Sequence, residues 1–273
     1  MTLIKSISGI RGTIGGVPGE NLTPVDAVKF AAAYGTWLKT YRKKESVKVV
    51  VGRDARLSGQ MIQQLVSATL TGLGIDIVDL GLSTTPTVEL AVPLENADGG
   101  IILTASHNPK QWNALKLLNE KGEFLNAAEG KAILELAEKE DFNFAEVDDL
   151  GSIKTDDTYL EQHIASVLDL ELIDAPVIRQ KKFKVVVDGV NSSGGIAIPA
   201  LLEALGVEVI PLYCEPTGHF PHNPEPLKEH LGAICQKVVE TGADFGVVVD
   251  PDVDRLAFIT ETGEMFGEEY TLV

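Results

Sequence analysis

Short, nearly continuous apolar runs recur along this chain, separated by longer amphipathic stretches. Val47-Lys48-Val49-Val50-Val51, Gly99-Gly100-Ile101-Ile102-Leu103, Lys184-Val185-Val186-Val187 and Phe245-Gly246-Val247-Val248-Val249 are too short for helices. They predict strands covered on both faces. Alternation over 3–10 predicts an opening strand, and 11–19 is a glycine-rich loop. Further strands are predicted at 74–80, 114–119, 207–212 and 256–260. Between them the pattern predicts helices at 24–39, 58–71, 85–93, 126–139, 155–170, 193–205 and 227–241. Thr23 is placed to cap the first of these, with Pro24 at its first helical position. Ser58 is placed to cap the second.

Helix, glycine, strand recurs in both halves, as Leu73-Gly74-Ile75 and as Leu205-Gly206-Val207. Polar residues follow the β-branched runs at Arg53-Asp54, Asp188-Gly189 and Asp250-Pro251. The stretch 141–152 is acidic and without period, which predicts a linker there. The expectation is an α/β chain of two similar three-layer domains, 1–150 and 151–273, each with a mostly parallel mixed sheet. Ligands of such sheets sit beyond the carboxyl ends of the strands, where these polar residues cluster. Residues 267–273 read as the first turn of a helix that nothing closes, so a truncated chain is expected.

Length changes this picture little, since 273 residues suit two domains. Charge changes it more. A net charge of −17 disfavours nucleic acid and anionic membranes as partners. An anionic substrate would need a local cationic pocket. No apolar run approaches membrane-spanning length, and the N-terminus lacks a signal-peptide core. Cys214 and Cys235 read as reduced thiols. A soluble, cytoplasmic protein is expected.

Two stretches carry candidate chemistry. Ser106, in Thr-Ala-Ser-His-Asn-Pro at 104–109, follows a buried strand and precedes a turn forced by Asn108-Pro109. That suits a nucleophile or phosphate carrier, and equally an ordinary strand exit. Asp250, Asp252 and Asp254 offer three hard carboxylates that repel one another without a cation and suit Mg²⁺; a solvated acidic turn has the same composition. Arg255 can neutralise this loop or face a phosphoryl group. Arg11, between glycines, can approach a phosphate or be a surface residue of a turn. Arg53, Asp54 and Arg56 can orient one another at the wall of a site, or form a structural ion pair.

These motifs, with Gly9-Ile10-Arg11-Gly12 and Gly52-Arg53-Asp54-Ala55-Arg56, resemble the α-D-phosphohexomutase family, whose members interconvert hexose 1- and 6-phosphates. The resemblance implies a phosphoglucomutase-like fold and a match to only the first two of four domains, the C-terminal third and fourth being absent. It implies a phosphoserine at Ser106, an intramolecular phosphotransferase (isomerase) reaction of carbohydrate metabolism, a phosphosugar substrate and a hexose 1,6-bisphosphate intermediate or activator. It further implies Mg²⁺ held by the three aspartates with Ser106, and phosphate held by Arg11 and Arg255. Lys116, with Arg11 close by, is one implied candidate for the proton acceptor, which requires a lowered pKa; an exposed strand lysine is the alternative. Asn113 fits the pattern, although Ala114 stands where many members have glycine. His107 and Asn108 are expected to orient the Ser106 turn. The segment 220–226, Phe-Pro-His-Asn-Pro-Glu-Pro, resembles a family segment and is read as a loop fixed near the metal site. The sugar is left open among glucose, mannose and glucosamine phosphates. A phosphate-carrying binding protein and a metal-dependent phosphatase are the competing readings. The chain by itself is expected to turn over little hexose phosphate.

Overall fold

The computed structural model describes residues 1–6, 9–44 and 46–266. The helix start expected at 267–273 and residues 7–8 of the opening strand lie outside the described residues. The chain forms two compact units. The first is 1–53, 58–105 and 111–157; the second is 54–57, 106–110 and 158–273.

The first unit contains β1 (Ile4–Ser6), β2 (Gly9–Thr13), α1 (Pro24–Arg42), β3 (Val47–Arg53), α2 (Gly59–Gly72), β4 (Ile75–Leu82), α3 (Thr85–Leu94), β5 (Gly99–Leu103), β6 (Trp112–Leu118), α4 (Ala127–Lys139) and β7 (Ile153–Thr155). Its sheet has the order β1-β2-β6-β5-β3-β4-β7. β5, β3, β4 and β7 run parallel, and β6, β2 and β1 add an antiparallel flank. On one face Ile10, Val49, Val51, Ile101, Leu103, Leu115 and Leu117 pack against Phe30, Tyr34, Ile62, Val66, Leu70 and Ile133 of α1, α2 and α4. On the other face α3 comes so close that a Cβ on Gly52 or Gly100 would lie 2.5 or 2.7 Å from Val88 Cγ2 or Val92 Cγ2. Those two strand glycines make room for the helix.

The second unit contains α5 (Tyr159–Leu168), α6 (Ala175–Lys181), β8 (Lys184–Asp188), α7 (Gly194–Ala204), β9 (Glu208–Leu212), α8 (Gly232–Thr241), β10 (Phe245–Val249), β11 (Leu256–Thr260) and β12 (Met265–Phe266). Its sheet has the order β12-β11-β10-β8-β9, with β10, β8 and β9 parallel. Val186, Val248, Ala257 and Ile259 face Ile234 and Val238 of α8. Val185, Val187, Val247 and Val249 cluster with Ile198 and Leu202 of α7. Each apolar run thus feeds two helix layers, which is why it does not alternate.

Several local expectations are corrected. The opening segment is two strands, not one, and Arg11 lies within β2 opposite Ala114, not in the glycine-rich loop. β7 joins the first sheet through β4, so the 141–152 stretch leads into that sheet. The connecting helix is the shorter α5, and the start of the 227–241 helix is a separate 3₁₀ turn at Lys228–His230. Ser58 precedes α2 but does not cap it; its hydroxyl accepts from Asn113 Nδ2 at 2.9 Å. Thr23 does cap α1, in a reciprocal box with Asp26. Cys214 and Cys235 are free thiols whose pKa burial pushes up.

Candidate phosphoryl-transfer site

Three buried aspartates leave the ends of parallel strands, and all three belong to the second unit. Each folds back in the same way. Asp54 Oδ1 accepts the N–H of Arg56 at 2.9 Å, and Asp188 Oδ1 accepts that of Val190 at 2.9 Å. Asp250 Oδ1 accepts those of Asp254 and Arg255, both at 3.1 Å. One oxygen therefore fixes a turn, in the manner of an Asx turn. The other is aimed at a partner. Asp54 Oδ2 takes Arg56 Nε at 3.0 Å, Asp188 Oδ2 takes His222 Nε2 at 2.9 Å, and Asp250 Oδ2 takes the Ser106 hydroxyl at 2.7 Å.

Ser106 is half-buried, and its Oγ also lies 3.2 Å from Asp254 Oδ1 and 3.4 Å from His107 Nδ1. Its φ of +49° is a left-handed conformation that side-chain-bearing residues adopt at a cost. Arg56 holds the turn there. Its fully buried guanidinium donates to the carbonyls of Ser106 at 2.5 Å, Asn108 at 2.6 Å and Pro109 at 2.8 Å. Three carbonyls on one planar cation define the path of 106–109.

One carboxylate oxygen from each of Asp250, Asp252 and Asp254 lies within 4.8 Å of the others. Asp250 and Asp252 are buried and Asp254 is exposed. Val253 bends the loop between them with φ +66°, a strained state for a β-branched residue. Ser192 and Ser193 both donate to the Pro251 carbonyl at 2.8 Å, pinning the loop from beneath. Burial, then the charges of Asp252 and Asp254, pushes the Asp250 carboxyl well above the usual aspartate range. Three convergent hard oxygens, two of them from buried side chains, fit a small divalent cation.

Burial, followed by the nearby Arg255 cation, lowers the His107 imidazole below its ordinary value. Arg255 does not pair with the aspartate loop through its guanidinium; Nη1 meets Glu225 Oε1 at 3.2 Å. Of the three residues expected to orient one another, Asp54 and Arg56 do so, while Arg53 Nε donates to Gln63 at 2.8 Å within the first unit. Arg11, Lys116 and Asn113 also belong to the first unit. Arg11 stands opposite Ala114, so Arg11 and Lys116 are diagonal neighbours on one face of the sheet. Lys116 Nζ lies 5.8 Å from the Phe124 ring centre. Asn113 is buried, donating to Ser58 and accepting the Ala114 N–H at 2.8 Å. Sequence reasoning did not single out Ser192, Ser193, Glu225, or the Arg56 grip on three carbonyls. The Ser-Ser-Gly run two residues beyond the Asp188 turn is the only linear trace of the serine pair.

Residues 3–144 match the sequence profile of phosphoglucomutase/phosphomannomutase alpha/beta/alpha domain I, and 157–263 match that of domain II. A phosphoglucomutase/phosphomannomutase of Thermococcus kodakarensis is 38% identical over 263 residues, which is 95% of this chain and 57% of that protein. A protein of Methanopyrus kandleri named probable phosphoglucosamine mutase is 35% identical, over 97% of this chain and 55% of its own length. The crystal structure of a phosphoglucomutase/phosphomannomutase family protein from Burkholderia thailandensis superposes with a TM-score of 0.78 at 27% identity, over 96% of this chain and 56% of the other. With two α/β units and these matches, the chain belongs to the phosphoglucomutase/phosphomannomutase family. It spans a little over half the length of the curated relatives it matches.

Proposed function

We propose that this chain carries the phosphoserine and metal halves of a phosphohexomutase, a phosphotransferase of the isomerase class acting on hexose 1- and 6-phosphates. One observation carries this reading: the Ser106 hydroxyl points at Asp250, within the reach of the three-carboxylate cluster.

Asp250, Asp252 and Asp254 would hold Mg²⁺. Such an ion, when bound, would supply charge neutralisation for the transferring phosphoryl group. In transfer from phospho-Ser106, the P–Oγ bond breaks as a bond forms from phosphorus to a hydroxyl oxygen of the hexose phosphate. Oγ keeps the electron pair, and the sugar hydroxyl loses its proton to a base. We take Lys116 as the candidate acceptor, with Arg11 on the same sheet face to hold negative charge. The resulting bisphosphate, turned end for end, returns its other phosphoryl group to Ser106, and the proton returns to the sugar oxygen. Arg56 keeps Oγ aimed by fixing the Ser106, Asn108 and Pro109 carbonyls. His107, its imidazole lowered below the ordinary value by burial and Arg255, can share a hydrogen bond with the serine oxygen. The relatives' names divide between glucose or mannose and glucosamine phosphates, so the reading stops at a hexose phosphate.

Intact mass and peptide mapping after incubation with Mg²⁺ and a hexose 1,6-bisphosphate test this. One phosphate on Ser106, absent in Ser106→Ala and in Asp252→Asn, is expected. An unmodified wild-type chain sinks the reading.

A further inference from the structure

The segment 217–226 meets two arginines of the site, Arg56 and Arg255. The Phe220 ring lies 5.1 Å from the Arg56 guanidinium carbon, and Glu225 pairs with Arg255. The close approach at Gly218 is obligatory: a Cβ there would fall 2.0 Å from the Ala55 carbonyl oxygen, and φ is +73°. Asn191 ties the same segment by accepting the Gly218 N–H and donating to the His219 carbonyl. At the centre stands His222. Nε2 meets Asp188 Oδ2 at 2.9 Å, and Nδ1 meets the Asn223 carbonyl at 2.8 Å. A carboxylate and a carbonyl are both acceptors, so this geometry is satisfied in full by a ring that carries a proton on each nitrogen. Next along the chain, Asn223 Oδ1 accepts the Glu225 N–H and so aims Glu225.

We propose that His222 is a positioning residue for phosphoryl transfer, whose doubly protonated ring, clamped between Asp188 and the Asn223 carbonyl, fixes the 217–226 segment that sets Arg255 and braces Arg56. This rests on the phosphoserine reading above. Loss of the Nδ1 or Nε2 proton sets a lone pair against an acceptor and releases one end of the clamp. Asp188 at the exit of β8 and Tyr213 after β9 are the titratable groups that face the ring. Burial alone would lower the imidazole. The Asp188 hydrogen bond and charge, with the Asn223 carbonyl, outweigh it and raise the value above the ordinary one. The clamp therefore holds to a higher pH than an ordinary imidazole would allow and opens on the alkaline side.

The test has two arms on the full chain. Long-range ¹⁵N–¹H spectra of the wild type report the state of both His222 nitrogens against pH. Both protonated at pH 7, with loss above the ordinary imidazole range, is expected; a neutral ring at pH 7 overturns the proposal. In the second arm, the rate of Ser106 phosphorylation by hexose 1,6-bisphosphate and Mg²⁺ is followed by mass from pH 6 to 9. The wild-type rate should fall with the His222 titration. In His222→Gln it should be about tenfold lower at pH 7 and should lose that alkaline limb. A variant slower at every pH with the limb intact shows a merely structural role and overturns the proposal. A wild type phosphorylated with a profile unrelated to the His222 titration overturns it and leaves the phosphoserine reading standing. A wild type that takes no phosphate at any pH overturns that reading and the positioning role together.

Discussion

Asp250 is a carboxylate placed against its own interest: buried, beside two more carboxylates, with only one oxygen occupied by backbone donors. Its raised native value means that the folded protein binds its proton more tightly than the unfolded chain. Metal-free stability should therefore decline as pH rises from the ordinary aspartate value through the raised one, the opposite of a salt-bridged aspartate. Replacing a neighbour relieves that repulsion. In EDTA at pH 7, Asp252→Asn should be more stable than wild type by on the order of 1–3 kcal/mol. With Mg²⁺ at a hundred times its dissociation constant, the wild type should gain ~2.7 kcal/mol and the order should narrow or reverse. Thermal denaturation in both buffers decides it; a destabilised variant in EDTA would show that the cluster is held by something other than a cation.

At the level of the turn, Arg56 is one side chain organising several backbone groups. Removing it leaves Asp54 charged and buried and frees three carbonyls. Arg56→Met should cost about 3–5 kcal/mol in urea unfolding, as for other broken buried pairs. A cost under 1 kcal/mol would mean that the turn is held elsewhere. Apolar runs made β3, β5, β8 and β10 legible in the sequence, because a strand buried on both faces has no polar positions to confuse. β12, with two residues, and α6, with seven, were too short to leave a period. The glycines flanking Arg11 look like turn residues, so the sequence alone places it in a loop. They are there for contact: a Cβ on Gly12 would lie 2.9 Å from the Leu22 nitrogen. The serine and the aspartates were legible as motifs. The pairing of Arg255 with Glu225, thirty residues away, and of His222 with Asp188 was not, since neither pair has local spacing.

Over the whole molecule, 40 acidic residues against 23 Lys and Arg leave a surface that repels itself. Raising NaCl from about 10 to 150 mM shortens the screening length from ~30 to ~8 Å and should raise the melting temperature in the absence of Mg²⁺. A salt-independent melting temperature would show that the acidic groups are already neutralised in local pairs. The same field opposes any approaching anion, so capture of one falls to a few local cations. Among the described residues no helix is long and apolar enough to cross a membrane.

The loops 54–57 and 106–110 leave strands of the first unit but are built into the second. The sequence profiles, ending at 144 and resuming at 157, assign both loops to domain I. Anyone dissecting the gene at that seam would obtain an N-terminal polypeptide with Ser106 and none of the three carboxylates of the cluster. The C-terminal piece would have the carboxylates facing no serine. Mixing the two would restore the hydrogen bond between residues 106 and 250 only if the pieces reassociate, which makes this protein a natural subject for split-protein complementation, with phosphate on one fragment as the readout.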